Sequence, residues 1–358
     1  MGGTPTTTAN DVWGWVDSAT GREYALVGLS NGTAFLDVSA PHAPLFVGHL
    51  PTRTLASPWR GIKVYRDHAY VIADRAGLHG MQVFDLTRLR GAAAGSRFTP
   101  DAQYFGPGLG VTSGFVLGSA HNVAINEETG FAYVVGSDTC NGGLHMVDLR
   151  EPRRPRFAGC FSADGYTHDT QCVVYRGPDA QHRGREICFA ANEDTITLVD
   201  VTDKRRPRQI SRTGYSGAAY THQGWLTEDQ RYFLVDDELD ETRFGHRTRT
   251  YIWDLADLDA PRLIGVHTAA SPATDHNLFI RGRHVFEANY RSGLRILDLA
   301  EVGVGRLREV AFFDVVPGSD AAGFSGAWGN YPFLPSGIVL VSGIEQGLFI
   351  LRPHLEEH

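Results

Sequence analysis

The sequence predicts an all-β fold, and more specifically a seven-bladed β-propeller. Three observations indicate this fold class: many turn-forming residues, a motif that recurs about every 50 residues, and histidines at one repeated position. The 358 residues include 41 glycines and 17 prolines, which long helices tolerate poorly and which many short strands joined by turns require. With 42% hydrophobic and 21% charged residues, the chain has the composition of a folded globular protein.

The recurring motif consists of two apolar residues, an aspartate and a further apolar residue, followed by a turn. It occurs at Phe35–Val38, Val83–Leu86, Met146–Leu149, Leu198–Val201, Ile252–Leu255 and Ile296–Leu299, with a weaker copy at Phe349–Leu351. Successive aspartates are 48, 63, 52, 54 and 44 residues apart. A period of this length that carries strands but no helices is typical of propeller blades. We expect each aspartate to accept hydrogen bonds from amides of the turn that follows.

Residues 1–358 are predicted to form one domain, because the blades of a closed ring are not separable. The blades are expected to start near residues 11, 58, 119, 167, 221, 275 and 326. The stretch 91–118, rich in glycine and alanine, is interpreted as an insertion between the second and third blades and as a possible lid. The seventh unit has only three strands, so ring closure is expected to need Thr4–Ala9 or a strand absent from this sequence.

Charge and apolar patterning restrict the partners. The chain has 33 basic and 41 acidic residues, a net charge of -8, which argues against a nucleic-acid surface. No window approaches the roughly 18 continuous apolar residues that a membrane helix needs. The acidic balance weakly favours cationic or metal partners.

Four cysteines lie in one narrow part of the chain, and none forms a Cys-x-x-Cys pair. Two disulfides, Cys140–Cys160 and Cys172–Cys188, are the favoured interpretation, and four buried thiols remain the alternative. Disulfides would place the protein outside the cell or in the periplasm, although no signal peptide is present in this sequence and a cytoplasmic location stays open.

Four consecutive units carry a histidine at the start of the predicted innermost strand: His121, His168, His222 and His276. In the other units, Trp13, Arg60 and Trp328 are aligned with this position. Because the innermost strands of a propeller begin beside its central channel, we expect the four imidazoles to converge at one mouth of the channel. The second strands should end at the same face, and several carboxylates lie there or next to a histidine, with Asp169, Asp237 and Glu287 as the candidate catalytic groups.

Neutral imidazoles are common ligands of borderline transition metals, and nearby carboxylates can ligate or orient the rings. The four histidines therefore predict a divalent metal centre that holds iron, zinc, copper or manganese. Arg60 is a candidate for binding an anionic group beside the metal, or for pairing with an acidic neighbour. Two alternatives remain: histidines that make structural hydrogen bonds between blades, and a metal-free acid–base site with Asp237 or Glu287.

The functional prediction is a metalloenzyme that acts on a small organic molecule, either as an oxygenase or as a Lewis-acid hydrolase or lyase. The alternative is a non-catalytic exported binding or scaffold module whose histidine ring is structural. No nucleophile elbow, phosphate-binding loop, dinucleotide fingerprint or metalloprotease helix motif is present to favour another chemistry.

Several long segments resemble the bacterial LVIVD-repeat proteins of the choice-of-anchor B family. The segments are Cys140–Met146, Tyr166–Cys172, Tyr220–Leu226 and Leu234–Glu241. The resemblance covers nearly the whole chain. It implies a β-propeller that is exported and sometimes anchored to the cell surface, and it implies no particular reaction.

Overall fold

The computed structural model describes residues 7–107 and 116–355, and it confirms the all-β prediction. Strands account for 47% and helices for 4% of the structure. The strands form seven sheets, and apart from one short outer strand the pairing within them is antiparallel. The innermost strand of each sheet contacts the innermost strand of the next, and the last contacts the first. The sheets are therefore the seven blades of a propeller around a central channel.

In each blade the chain runs from the innermost strand outward. The first has β1 (Ala9–Asp17), β2 (Arg22–Leu29), β3 (Gly32–Asp37) and β4 (Leu45–Pro51). The second has β5 (Arg60–Tyr65), β6 (His68–Ala73), β7 (Met81–Asp85) and, after the short β8 (Ser96–Arg97), β9 (Ala102–Tyr104). The third has β10 (Asn122–Asn126), β11 (Phe131–Val135), β12 (Leu144–Asp148) and β13 (Arg156–Phe161).

The fourth blade has β14 (Asp169–Val174), β15 (Glu186–Ala191), β16 (Thr195–Asp200) and β17 (Arg208–Gly214). The fifth has β18 (Thr221–Leu226), β19 (Tyr232–Asp237), β20 (Arg249–Asp254) and β21 (Arg262–Thr268), with helix α1 (Asp240–Phe244) after β19. The sixth has β22 (Leu278–Arg281), β23 (His284–Ala288), β24 (Leu294–Asp298) and β25 (Arg308–Phe313). The seventh has β26 (Ala327–Tyr331), β27 (Val339–Gly343) and β28 (Gly347–Leu351). Short 3-10 turns cover Leu86–Leu89, Cys140–Gly142 and Val302–Val304.

The repeated aspartates act as predicted. In all six motifs the carboxylate accepts the amide of the residue two positions later, at donor–acceptor distances of 2.8 to 3.0 Å. Each of these aspartates also pairs with at least one arginine. The motif thus fixes the turn after the third strand of every blade that carries it.

The ring closes through β1 and β26, which lie side by side. The Ala9 amide, at the start of β1, donates to the Ile344 carbonyl of the seventh blade over 2.9 Å. Within the described residues the seventh sheet has three strands. Ala9 therefore belongs to the first blade and does not extend the seventh, while residues 4–6 of the predicted closing segment lie outside the described residues.

Part of the predicted insertion 91–118 belongs to the sheets. β9 is the outer strand of the second blade, and β8 pairs in parallel with β4 of the first. Outer strands are half exposed and alternate weakly in hydrophobicity, so their sequence signal is faint. Residues 108–115 of this stretch lie outside the described residues.

Both expected disulfides are present. Cys172 and Cys188 are directly opposite each other on β14 and β15, and Cys140–Cys160 joins the 3-10 turn of the third blade to β13. The two disulfides indicate an oxidising environment, such as the extracellular space or the periplasm. Among the described residues no helix is long and apolar enough to span a membrane.

Candidate functional site

The four histidines form a continuous row at one end of the channel. Their ring centroids are 4.3 Å apart for His121 and His168, 4.1 Å for His168 and His222, and 4.5 Å for His222 and His276. The last three residues are 1 to 5% exposed, while the His121 side chain is 16% exposed. The predicted convergence of four distant imidazoles is therefore confirmed.

Local backbone features bring the rings this close. A β-bulge lies between Thr221 and Gly224, so that His222 and its neighbour face a single residue of β19, which re-aims the side chain. Beneath His121, Gly136 has φ of 57°, and a Cβ there would lie 2.6 Å from the His121 Cβ. Gly136 is therefore required both by its backbone conformation and by the close approach of the histidine.

Every histidine of the row uses its Nδ1 to donate a hydrogen bond. His121 donates to Asp74 Oδ2 over 3.1 Å, and His222 donates to Asp236 Oδ1 over 3.0 Å. His168 donates to the backbone carbonyl of His222 over 2.8 Å. His276 donates to the carbonyl of Trp328 on β26. Donation from Nδ1 leaves the lone pair on Nε2, which is the tautomer of a metal-ligating histidine held by an outer partner.

Glu238 lies between two of the free nitrogens. Its carboxylate oxygens are 3.8 Å from the Nε2 of His222 and 3.8 Å from the Nε2 of His276. The Tyr290 hydroxyl donates to Glu238 Oε1 over 2.6 Å. One ligand atom from each of His222, Glu238 and His276 lies within 4.8 Å of the others, so these three residues can hold one ion.

Burial keeps three of the imidazoles neutral. It lowers the pKa of His168 and His222 well below the ordinary value of 6.5, and the neighbouring histidines add to this effect. For His276, burial lowers the pKa to about 3. Burial also raises the pKa of Glu238. A cation at this position would therefore meet uncharged rings that need not lose protons before they bind.

A cavity of about 390 Å³ continues from the histidine row along the channel. Its polar lining includes Arg60, Lys63, His121, His168, Asp169 and His276. Its aromatic lining includes Trp13, Trp225, Phe279, Tyr331 and Phe333. This volume suits a small organic ligand.

Asp169 and Arg60, two of the predicted catalytic residues, line this cavity. The Asp169 carboxylate accepts hydrogen bonds from Asn122 Nδ2 and from the Thr170 amide, and burial raises its pKa to about 6. Arg60 Nε donates to the Leu29 carbonyl over 2.9 Å, and its Nη1 lies 3.2 Å from the His79 ring. No acidic partner of Arg60 is present among the described residues, so the alternative in which it pairs with an acidic neighbour is not found.

The other two predicted carboxylates point elsewhere. Asp237 accepts hydrogen bonds from the Tyr215 hydroxyl and from the amides of residues 219 and 220. Glu287 accepts from Thr250 Oγ1 and from Asn289 Nδ2. Within the described chain, neither lies at ion-pairing distance from a histidine of the row. The carboxylates that do are Asp74, Asp236 and Glu238.

The prediction that Trp13 takes the histidine position in the first blade is wrong by three residues. The β1 bulge lies between Ala9 and Val12, and it matches the bulge that contains His222. Asn10 therefore takes the histidine position, while Trp13 lies further along the strand and lines the cavity. A short polar residue in a bulge has no distinctive sequence signal.

A second group with metal-like spacing lies outside the channel, on loops of the fourth and fifth blades. It consists of Asp179, His182 and Asp259. The Asp179 oxygens accept the amides of Gln181 and Leu258, each over 3.0 Å, and His182 Nε2 lies 3.1 Å from Asp259 Oδ2. These hydrogen bonds between blades account for the group without an ion.

Comparison with known proteins supports the fold. The chain matches no family model and no curated protein, so the resemblance to LVIVD-repeat proteins stays a prediction. Hydrazine synthase of Kuenenia stuttgartiensis is similar with a TM-score of 0.60 at 10% identity, over 93% of each chain. A β-propeller domain from Myceliophteria thermophila has a TM-score of 0.59 at 11% identity, over 98% of this chain and 100% of that one. The periplasmic gluconolactonase of Pseudomonas aeruginosa has a TM-score of 0.57 at 12% identity, over 84% of each. At these identities the likenesses show the propeller fold alone.

Proposed function

We propose that the protein is a metal-dependent enzyme whose divalent transition metal is bound by His222, His276 and Glu238. His168 and His121 continue the row and are the further candidate ligands. The observation that carries the proposal is the shared geometry of His222 and His276: each Nδ1 donates to a fixed acceptor, and each Nε2 faces the same carboxylate at 3.8 Å. Two imidazoles and a carboxylate suit iron, zinc, copper or manganese better than calcium.

Hydrogen bonds between blades support the competing structural function. The Nδ1 atoms of His168 and His276 donate to carbonyls of the following blade, as purely structural histidines would. A structural function leaves the Nε2 atoms unexplained, because it needs no carboxylate between two of them. It also leaves unexplained why four polar rings are gathered at one end of the channel beside a cavity, where burial of unpaired polar groups is costly.

The cavity supports a catalytic function for the centre. When bound, a divalent metal supplies Lewis-acid activation or, for iron and copper, oxygen activation. Asp169 lines the same cavity as His168 and His276, and its raised pKa suits transfer of a proton near neutral pH. Arg60 lines it with a guanidinium that suits an anionic substrate group. The substrate is a small organic molecule, and export with surface attachment, as in LVIVD-repeat proteins, is part of the proposal.

Elemental analysis tests the proposal. The protein is purified without an immobilised-metal column, and the metal content is compared among wild type, His222→Ala, Glu238→Gln and the control His68→Ala, whose ring lies on β6 away from the channel. We expect about one equivalent in wild type and in the control, and loss of most of it in the other two. Less than half an equivalent in wild type, with stability unchanged by chelator, would favour the non-catalytic scaffold.

A further inference from the structure

The cavity beside the histidine row extends along the whole innermost strand of the third blade. His121 directly precedes β10, and Glu127 and Glu128 follow its last residue, Asn126. His121, Glu127 and Glu128 all line the cavity. Six residues of an extended strand span roughly 20 Å. The cavity is therefore a tunnel that reaches from the histidines to the opposite face of the propeller.

The lining becomes more exposed toward that opposite face. Trp225, Tyr331 and Phe333 are half-buried there, and Glu127 is exposed. We name the opening that these four residues surround the far mouth. At the other end of the tunnel His276 is only 4% exposed. The rise in exposure indicates that the tunnel meets solvent at the far mouth.

One side of the tunnel is a continuous aromatic wall, whose rings come from four consecutive blades. The wall consists of Trp225, Phe279, Trp13, Tyr331 and Phe333. In this order the ring centroids of neighbours are 4.9, 5.9, 4.9 and 5.4 Å apart. Packed rings at these distances present a broad apolar surface on which another ring can stack or pack by its edge.

The other side is aliphatic, and polar groups are concentrated at the histidine end. Val64, Ala124 and Val173 contribute to the lining from the second, third and fourth blades. Asn122 and Asp169 directly follow two histidines of the row, and Asn122 Nδ2 donates to Asp169 Oδ2 over 2.8 Å. The tunnel thus has a polar inner end and a long apolar section between that end and the far mouth.

Lys63 also lines the tunnel, but protein groups already hold its ammonium. Its Nζ donates to the Ile62 carbonyl over 3.1 Å and lies 3.5 Å from Asp11 Oδ2. The same nitrogen is 4.3 Å from the centroid of the Trp13 ring, at cation–π distance. Lys63 therefore requires no charged group on the part of a ligand that passes the aromatic wall.

We propose that the substrate of the histidine centre is an elongated amphipathic molecule with an aromatic body, and that it enters through the far mouth. Its polar group reaches the histidine end, where Asp169 lies, and its apolar body packs on the aromatic wall. This inference rests on the proposed function for the chemistry at the histidines. A compact polyhydroxylated substrate is disfavoured, because its hydroxyls would lose hydrogen bonds to water without gaining partners on the wall.

A neutral aromatic dye, N-phenyl-1-naphthylamine, tests the tunnel in metal-free protein, because the dye emits strongly only in apolar surroundings. We expect wild type to bind about one dye per chain. Val173→Trp fills part of the tunnel and should weaken the dye Kd by roughly tenfold or more. The matched control is Val310→Trp, at a half-buried position on the outer strand β25, and its Kd should stay within about twofold of wild type.

Gluconate, a compact polyhydroxylated acid, should not displace the dye. The titration of wild type needs no variant, so a folding failure of Val173→Trp does not leave the result open. No dye binding by wild type, unchanged binding by Val173→Trp, or displacement by gluconate would overturn the substrate class.

A bulky label tests the route of entry. The native cysteines are paired in two disulfides, so an introduced cysteine is a unique reactive thiol. Glu127→Cys places the thiol at the far mouth, and Glu193→Cys places it at the histidine face, where Glu193 pairs with Thr221. A polyethylene glycol maleimide on the first should slow dye association by roughly tenfold or more, and on the second should leave it unchanged. Equal rates, or the opposite pattern, would overturn entry through the far mouth.

These measurements separate the tunnel from the metal centre. Absence of metal from wild type would refute the proposed centre, whereas dye binding by metal-free protein would still show an apolar binding tunnel. Failure of dye binding in protein that contains metal would refute the tunnel alone.

Discussion

The contact between Asp236 and His222 permits a sharp test of the metal proposal. Asp236 Oδ1 accepts hydrogen bonds from His222 Nδ1 over 3.0 Å and from the Gln223 amide over 2.8 Å. Replacement of Asp236 by Asn preserves the size of the side chain and an acceptor oxygen for both donors. It removes the negative charge behind the imidazole, and with it the effect that makes Nε2 a stronger ligand.

The size of the effect follows from the geometry. A hydrogen bond of 3.0 Å, the imidazole ring and a metal–nitrogen bond together place the Asp236 oxygen about 7 Å from the ion. At an effective dielectric constant near 20, this separation corresponds to roughly 2 kcal/mol for each unit of cation charge. Burial raises the pKa of Asp236 well above its ordinary range, so part of this energy is used to remove a proton. We therefore expect a 10- to 100-fold weaker Kd, equal to about 1.4–2.7 kcal/mol.

The assay is competition for zinc against a chelator of known affinity, with Asp74→Asn as the matched control. Asp74 makes the same kind of contact with His121 at the end of the row, outside the group of His222, Glu238 and His276. The control should change the zinc Kd by less than about threefold, since its histidine is not among the three proposed ligands. No effect of Asp236→Asn would refute the assignment of His222 as a ligand, whereas an equal effect of Asp74→Asn would add His121 to the set of ligands.

Three further predictions concern stability. Replacing Cys172 and Cys188, 16 residues apart, by Ala should lower the free energy of unfolding by roughly 3 kcal/mol, and a loss below about 1 kcal/mol in urea denaturation would contradict this. Burial lowers the pKa of His145 to about 4, below the value of 6.5 in the unfolded chain. Between these two pH values the unfolded chain binds more protons than the folded protein, so the free energy of unfolding falls as the pH falls. From pH 7 to pH 5, wild type should therefore lose roughly 2 kcal/mol more than His145→Gln; parallel pH profiles would show that the histidine is not held neutral. Asp254→Ala should remove the hydrogen bond from the Ala256 amide and lower the thermal midpoint by roughly 1–3 °C, whereas an unchanged midpoint would show that the motif does not stabilise the turn.

Much of the fold could be predicted because its determinants are local. The Asp37 and Asp298 carboxylates, at the two ends of the repeat, bind turn amides only two residues away, so the spacing of the motif reports the spacing of the blades. β8 and β9 were missed because their contacts are with strands distant in the sequence. A strand of two or three residues has too little periodicity to be recognised from its own residues.

The histidines could be predicted, but their carboxylate partner could not be chosen. Successive residues of a strand point to opposite faces, so Asp236 and Glu238 face the row while Asp237 faces the loop that contains Tyr220. The three acidic residues are consecutive, and the choice among them depends on the bulge at His222. The sequence did carry one usable signal, the alternation of side chains between the two faces of a strand. It places Asp236 and Glu238 on one face and Asp237 on the other, so only one of these two sets can face the histidines.

Anomalous diffraction from crystals of the protein with its copurifying metal locates that metal directly and so tests the proposed ligands. We expect one strong peak in the channel, within about 2.0–2.2 Å of His222 Nε2, His276 Nε2 and a Glu238 oxygen. A peak at another position, or a channel without a peak in protein shown to contain metal, would contradict it.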